Sequence, residues 1–224
     1  KFDLAALEPP FPTPATSDPT YDARLLMYIR WDHNVEDRFY TINASEASRL
    51  SNDFRLQIGR MLHPNTPRLP VIAPTPSFLL ASSPFPGALA IKRYYLGSPY
   101  YHHFYVPDGK EDAYFEEMLK DPRPGIVRDY GHLSKRENYH AAGRSGYVSA
   151  NPAPGLVALW TFTIQGYPHV GRRYSFLVTR EQMDTALAFY RNSEGGLTQV
   201  VCKHLVGYVK PLPERPPPVA PAPP

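Results

Sequence analysis

The sequence has one cysteine, no long apolar run and almost no excess charge of either sign, and each scarcity excludes something. Cys202 is alone among 224 residues, so no disulfide can close within the chain. The longest apolar run, around residues 155–160, has a strand's length and falls far short of the about 20 residues of a membrane-spanning helix. Charge is nearly balanced, with 24 Lys+Arg against 21 Asp+Glu and a net +3. Binding to a phosphate backbone calls for a concentrated basic face, so no nucleic-acid partner is expected.

What the chain has in excess is proline, 27 of 224 residues, or about 12% where ordinary usage is about 5%. Five prolines fall in 1–22, seven in 64–86 and eight in 211–224, and the body between them has ordinary content. The division reads as a Pro-rich N-terminal extension at 1–22, a single domain at 23–210 and a Pro-rich tail at 211–224. A further Pro-rich connector spans 65–86 inside the domain. Proline lacks an N–H and fixes φ, so these stretches are expected to run extended, outside ladders and helices. They read either as linkers or as segments laid on a surface, the protein's own or a partner's. Lys1 at the start, in place of Met, reads as the product of a cleaved signal peptide or as an arbitrary boundary; export is the expectation.

One order of signals occurs three times. Apolar and aromatic runs at 25–31, 89–96 and 156–164 are each followed by a second aromatic run: Arg38-Phe39-Tyr40, His103-Phe104-Tyr105 and Arg173-Tyr174-Ser175-Phe176. Next comes a capping residue with an acid or amide three positions on: Asn43 and Glu46, Asp108 and Glu111, Thr179 and Gln182. Helix-forming sequence follows at 44–56, 110–120 and 180–191. A glycine and an apolar step close each unit at Gly59-Arg60-Met61, Gly146-Tyr147-Val148 and Gly207-Tyr208-Val209. The fold expected is α+β: three strand-strand-helix-strand repeats around a pseudo-threefold axis, with Pro-rich extended termini. The units run over about 23–64, 87–152 and 155–210.

These residues resemble a repeat found in secreted bacterial and fungal proteins, built on Tyr-Arg-Leu-Tyr, His-Phe-Tyr-Thr, a capped helix and Gly-Tyr-Val. The best match here is Lys92-Arg93-Tyr94-Tyr95-Leu96-Gly97 with His102-His103-Phe104-Tyr105, followed by Asp37-Arg38-Phe39-Tyr40-Thr41 and Gly207-Tyr208-Val209. That repeat has no assigned function and is often attached to hydrolases or lectin-like modules. The resemblance implies export and a binding role, and brings no catalytic residues.

The middle unit is longer than the others by a stretch at 121–142, an insertion dense in titratable groups. Asp129, Tyr130, His132, Tyr139 and His140 fall there, and an insertion on a repeat scaffold is a common place for function. His132 and His140, with Asp129 or with His102 and His103, are candidates for a metal or general-base cluster. No zinc-ligand or metalloprotease spacing is present, so a solvated or docking loop is the preferred reading. Tyr100 and Tyr101, in an expected loop with His102 and His103, are read as a contact surface, since tyrosine suits sugar stacking and protein interfaces alike. Cys202, in the apolar run 200–209, reads as a buried strand cysteine. Glu111, Asp112, Glu116 and Glu117 form the solvated side of a helix whose other side is Tyr114, Phe115, Met118 and Leu119.

No cofactor and no catalytic residue is assigned. The expected function is a non-enzymatic exported interaction or structural module, an accessory subunit of a larger extracellular or periplasmic assembly. Its partners would be proteins, such as the periplasmic face of a membrane complex. The alternatives are a carbohydrate-binding module using exposed tyrosines, and an enzyme with its site on the 121–142 insertion.

Overall fold

A computed structural model describes residues 20–32, 35–43, 45–46, 54–56, 78–97, 102–119, 136–165, 173–193 and 199–212. The fold is α+β, mostly antiparallel sheet with two helices among the described residues. In chain order the strands are β1 (Ala23–Arg24), β2 (Leu26–Asp32), β3 (Val35–Thr41), β4 (Phe54–Leu56), β5 (Phe78–Leu80), β6 (Ala88–Leu96) and β7 (His102–Pro107). After helix α1 (Glu111–Met118) and a 3₁₀ turn (Arg136–Asn138) come β8 (Tyr139–Ser149), β9 (Val157–Gln165) and β10 (Arg173–Thr179). Helix α2 (Arg180–Ser193) and β11 (Gln199–Pro211) complete the order.

All pairings among the described residues are antiparallel. β2 lies between β3 and β4, β6 between β7 and β8, and β9 between β10 and β11. β11 also reaches β8 through Tyr208 opposite Ser149, and β5 through Lys210 and Pro211 opposite Leu79 and Phe78. The six-strand path of the larger sheet is therefore β1-β5-β11-β8-β6-β7.

The strands that follow the first of each trio are buried on both faces. Every residue of β7 from His102 to Pro107 is buried, as are Asp37 to Thr41 in β3 and Ser175 to Val178 in β10. Alternate side chains of β7 enter two cores: Tyr105 joins the larger, with Tyr40, Phe162, Phe176 and Leu177, and Phe104 and Val106 join the smaller, with Tyr114, Phe115, Met118 and Cys202. Burying a side chain such as Phe104 stabilises by about 1.5–3 kcal/mol over leaving it exposed. β10 packs against both β7 and β3, and the Tyr105 hydroxyl joins β7 to β3 by donating to Arg38 O at 2.6 Å and accepting from Tyr40 N at 2.9 Å.

Several expectations need correction. The helix expected over 44–56 does not reach its end: Ser45 and Glu46 are helical, but Phe54–Leu56 is strand β4, paired with Tyr28, Ile29 and Arg30. The Pro-rich connector does enter a ladder, because the proline-free Phe78-Leu79-Leu80 is buried as β5 between β1 and β11. The C-terminal tail starts later than expected, since Pro211 still closes β11; proline is tolerated at such a strand end. Residues 139–142, assigned to the insertion, are the first part of β8. The rest of both Pro-rich termini, 1–19 and 213–224, lies outside the described residues.

The caps also differ. Asn43 accepts from the N–H groups of Ser45 (3.0 Å) and Glu46 (3.2 Å), as expected of a cap. Thr179 and Gln182 form the full reciprocal box at 3.2 and 3.4 Å. Asp108 does not cap α1; its carboxylate goes to Lys92, and the cap position, Lys110, makes no side-chain cap bond.

Candidate functional site

The structure separates the four described candidate residues into two rows. Leu96 in β6 stands opposite His102 in β7 and Tyr139 in β8, while Tyr95 stands opposite His103 and His140. Side chains alternate along each strand, so His102 and Tyr139 occupy one face of the sheet and His103 and His140 the other. His102 is thereby parted from His140, whereas His103 shares a face with His140 across Tyr95. Tyr100, Tyr101, Asp129, Tyr130 and His132 lie outside the described residues.

His102 and His103 are strand residues, 2% and 5% exposed, rather than loop contacts. His103 Nδ1 donates to Asp37 Oδ2 at 2.7 Å, and its backbone N–H donates to Asp37 Oδ1 at 2.8 Å. Its ring stacks on Tyr95 with centroids 4.4 Å apart. His102 Nε2 lies 2.7 Å from Ser175 Oγ, which lies 2.7 Å from Thr163 Oγ1. Tyr139 packs edge-on against Phe104 at 5.2 Å, and burial raises its hydroxyl pKa. His140 is exposed on β8.

Ser175 and His102 have the spacing of a nucleophile and its base, but their surroundings do not suit that chemistry. Burial foremost, with Arg173 and His103 adding and Asp37 opposing, pushes the His102 pKa down to about 3. Such an imidazole stays neutral and is a poor acceptor of a serine proton near neutral pH. Its Nδ1 has no hydrogen-bond partner among the described residues, so the third group of a triad is missing there. Ser175 is only 2% exposed, out of a substrate's reach.

Arg93 shows the same inward use of a polar group. It is 1% exposed, pairs with Glu46, and donates to Ala142 O (2.8 Å from Nε) and Tyr40 O (3.1 Å). Its guanidinium also lies 4.2 Å over the Phe39 ring. The arginine of the quoted Lys92-Arg93-Tyr94 motif thus holds β3, β6 and β8 together.

The accessible chemistry gathers instead in a shallow groove of about 600 Å³ lined by Tyr94, Gly109, Lys110, Glu111, Asp112, Ala113 and Arg136. β6 supplies Tyr94 from the half-buried face of its alternation, and the start of α1 supplies the acids. Gly109, at φ +79°, turns the chain between β7 and the helix. Tyr94 is held from below by Phe104 (stacked, 5.2 Å) and Phe115 (edge-on, 5.1 Å). Arg136 donates to Asp112 Oδ1 at 2.6 Å and sits 4.7 Å over Phe115. Behind the groove Lys92 bonds Asp108 at 2.6 Å and also Glu111. Those hydrogen bonds hold the Lys92 ammonium above its usual range, and Lys92 in turn lowers the Asp108 carboxyl. The result is an aromatic floor between fixed charges of both signs. Tyr94 and Asp112 stand in the quoted motif and helix, Arg136 lies in the 121–142 stretch, and nothing local signals that the three meet.

Cys202 is buried in β11 as expected, and burial foremost raises its thiol pKa well above the usual range. Metal-ligating chemistry lies there, at α1 and β11, around Glu117, Cys202 and His204. No described helix is long and apolar enough to cross a membrane. Compared with protein-family models, with curated proteins and with solved structures, the chain shows no match.

Proposed function

We propose that this protein is a non-enzymatic exported interaction module, an accessory subunit of a larger extracellular or periplasmic assembly, with the Tyr94 groove as a contact face. It is proposed to consist of three strand-strand-helix-strand units around a pseudo-threefold axis, of the secreted aromatic-repeat kind. Support for the repeat comes from the common placement of β2, β6 and β9, each between the two later strands of its trio.

The observation that carries the function is how ionisable side chains are used. Asp37, Arg93, His102 and His103 are buried and bonded to other protein groups, whereas exposed Asp112 and Arg136 frame an open aromatic groove. Inward-facing groups specify a fold; a polar rim around an aromatic anchor suits recognition.

The test is recovery of the protein from its source under native, low-salt conditions. A particle well above the 25.3 kDa chain is expected, and Asp112→Arg with Arg136→Glu should cut the recovered partner at least about tenfold. A wild-type chain recovered as a bare monomer overturns the reading. A second reading, carbohydrate binding, is favoured by Tyr94 itself, an amphipathic ring flanked by Glu111, Asp112 and Arg136. Specific glycan-array binding abolished by Tyr94→Ala would establish it in place of the first.

A further inference from the structure

Helix α1 and strand β11 bring together three side chains of different ligating chemistry. Cys202 and His204 are two residues apart on β11, so both turn toward α1. Cys202 Sγ lies 3.8 Å from Tyr114 O, and the His204 and Tyr114 rings are 5.0 Å apart. Glu117 follows Tyr114 by about one helical turn and reaches the same place, with Oε2 3.0 Å from His204 Nε2. One donor atom from each of Glu117, Cys202 and His204 lies within 4.8 Å of the other two.

We propose that Glu117, Cys202 and His204 form a three-ligand site for a divalent transition metal, zinc above all, with water as the fourth ligand. Metal–ligand lengths of about 2.0–2.3 Å place tetrahedral donors roughly 3.4–3.7 Å apart, so small side-chain rotations suffice. Thiolate with imidazole and carboxylate selects zinc over magnesium or calcium, which take oxygen ligands.

The surroundings fit such a site. Cys202 is 1% exposed on a strand fixed by its pairing with β9, which sets one donor in place. The Tyr114 hydroxyl, 3.0 Å from Thr161 Oγ1, pins α1 to β9 and so sets the position of Glu117. The side chains of His204 and Glu117 are 26% and 47% exposed, which leaves the ion a way in and room for its water. A partly exposed His–Glu contact adds little to stability and requires no thiol beside it. Without metal the buried thiol is protonated; a dication supplies the opposite field, and the thiol proton leaves to solvent. The bound ion would clip the C-terminal end of α1 to β11. The proposal is independent of the Tyr94 groove and of any partner.

The experiment uses the full chain, stripped with a chelator and titrated with Zn²⁺ and then Co²⁺. One zinc per chain is expected, with a thiolate-to-cobalt charge-transfer band in the near ultraviolet. Because Cys202 is the only cysteine, that band reports this residue alone. Cys202→Ser should abolish the band, and His204→Gln and Glu117→Gln should each weaken zinc binding at least about tenfold. Circular dichroism shows which variants fold; if Cys202→Ser does not, the more exposed Glu117→Gln decides. A wild-type chain without the cobalt band, or unchanged zinc affinity in folded Glu117→Gln, overturns the proposal.

Discussion

Helices α1 and α2 start from the same kind of sequence and are built differently. Thr179 and Gln182 satisfy each other's backbone N–H groups at the head of α2. Asp108 and Glu111, at the corresponding place before α1, are drawn instead to Lys92 of the neighbouring strand β6. A side chain that can cap a helix does so unless a charge of opposite sign from another element competes for it. The Lys92 ammonium engages both carboxylates at once, so α1 lacks the cap and two acids are fixed to β6, of which Glu111 also lines the groove. The third start lies between these cases. Asn43 caps, while Glu46 leaves the box for Arg93.

The regions around α1 and α2 can be set against each other by mutation, and the closing glycines give the largest expected effect. A Cβ on Gly207, at φ +156° in β11, would lie 2.5 Å from Val148 Cγ2 and 2.6 Å from the backbone oxygen of Ser149. On Gly146, at φ +133° in β8, it would meet Leu80 Cδ2 at 2.9 Å, the end of a side chain that can move. Gly207→Ala should cost about 3 kcal/mol or more, and Gly146→Ala about 2 kcal/mol. Urea unfolding of both variants measures this, and equal costs would mean that backbone and side-chain obstacles weigh the same.

Comparable in size is a pH effect at His102, where β7 of the α1 region meets β10 of the α2 region. Its folded pKa of about 3 lies below the unfolded value near 6.5, so the folded state binds this proton less readily. The stabilising contribution is complete above about pH 6.5 and is lost as pH falls toward 3, with a slope of up to about 1.4 kcal/mol per pH unit. Chemical denaturation of wild type and His102→Gln between pH 7 and 4 should show the flatter profile in the variant. Equal slopes would remove His102 from the acid response.

The smallest effects concern the helix starts. Thr179→Ala should destabilise by about 1 kcal/mol, the usual worth of a cap. Asp108→Ala should cost about half that or less, because it removes only a partly exposed ion pair from Lys92. Thermal unfolding of the two variants checks the order, and a reversal would assign Asp108 the capping role after all.

Much of the α+β framework was legible in the chain. The runs at 25–31, 89–96 and 156–164 became β2, β6 and β9, and the expected helices at 110–120 and 180–191 became α1 and α2. Errors arose where a short segment had two local readings. Phe54-Arg55-Leu56 continues a helical pattern as readily as it alternates, and pairing with β2 decided for strand. His102 and His103 follow Pro99 and two tyrosines, which reads as a loop. Asp37 and Ser175, 66 and 73 residues away in sequence, turn them into core. The groove was legible only in parts, and so was the Glu117 cluster, whose His204 contact spans 87 residues.

The sequence by itself determined the long strands β2, β6 and β9 and the helices α1 and α2, that Cys202 is buried, and which side of α1 faces water, because period, propensity and local capping act over a few residues. Tertiary structure alone decided which polar groups were spent inside, at Arg93, Asp37 and the two histidines. It also decided which remained accessible, at Asp112 and Arg136, and which ligating atoms met, at Glu117, Cys202 and His204. Burying a charge is costly unless a partner of the right geometry is waiting, and that partner comes from another strand, set by packing rather than by neighbours in the chain.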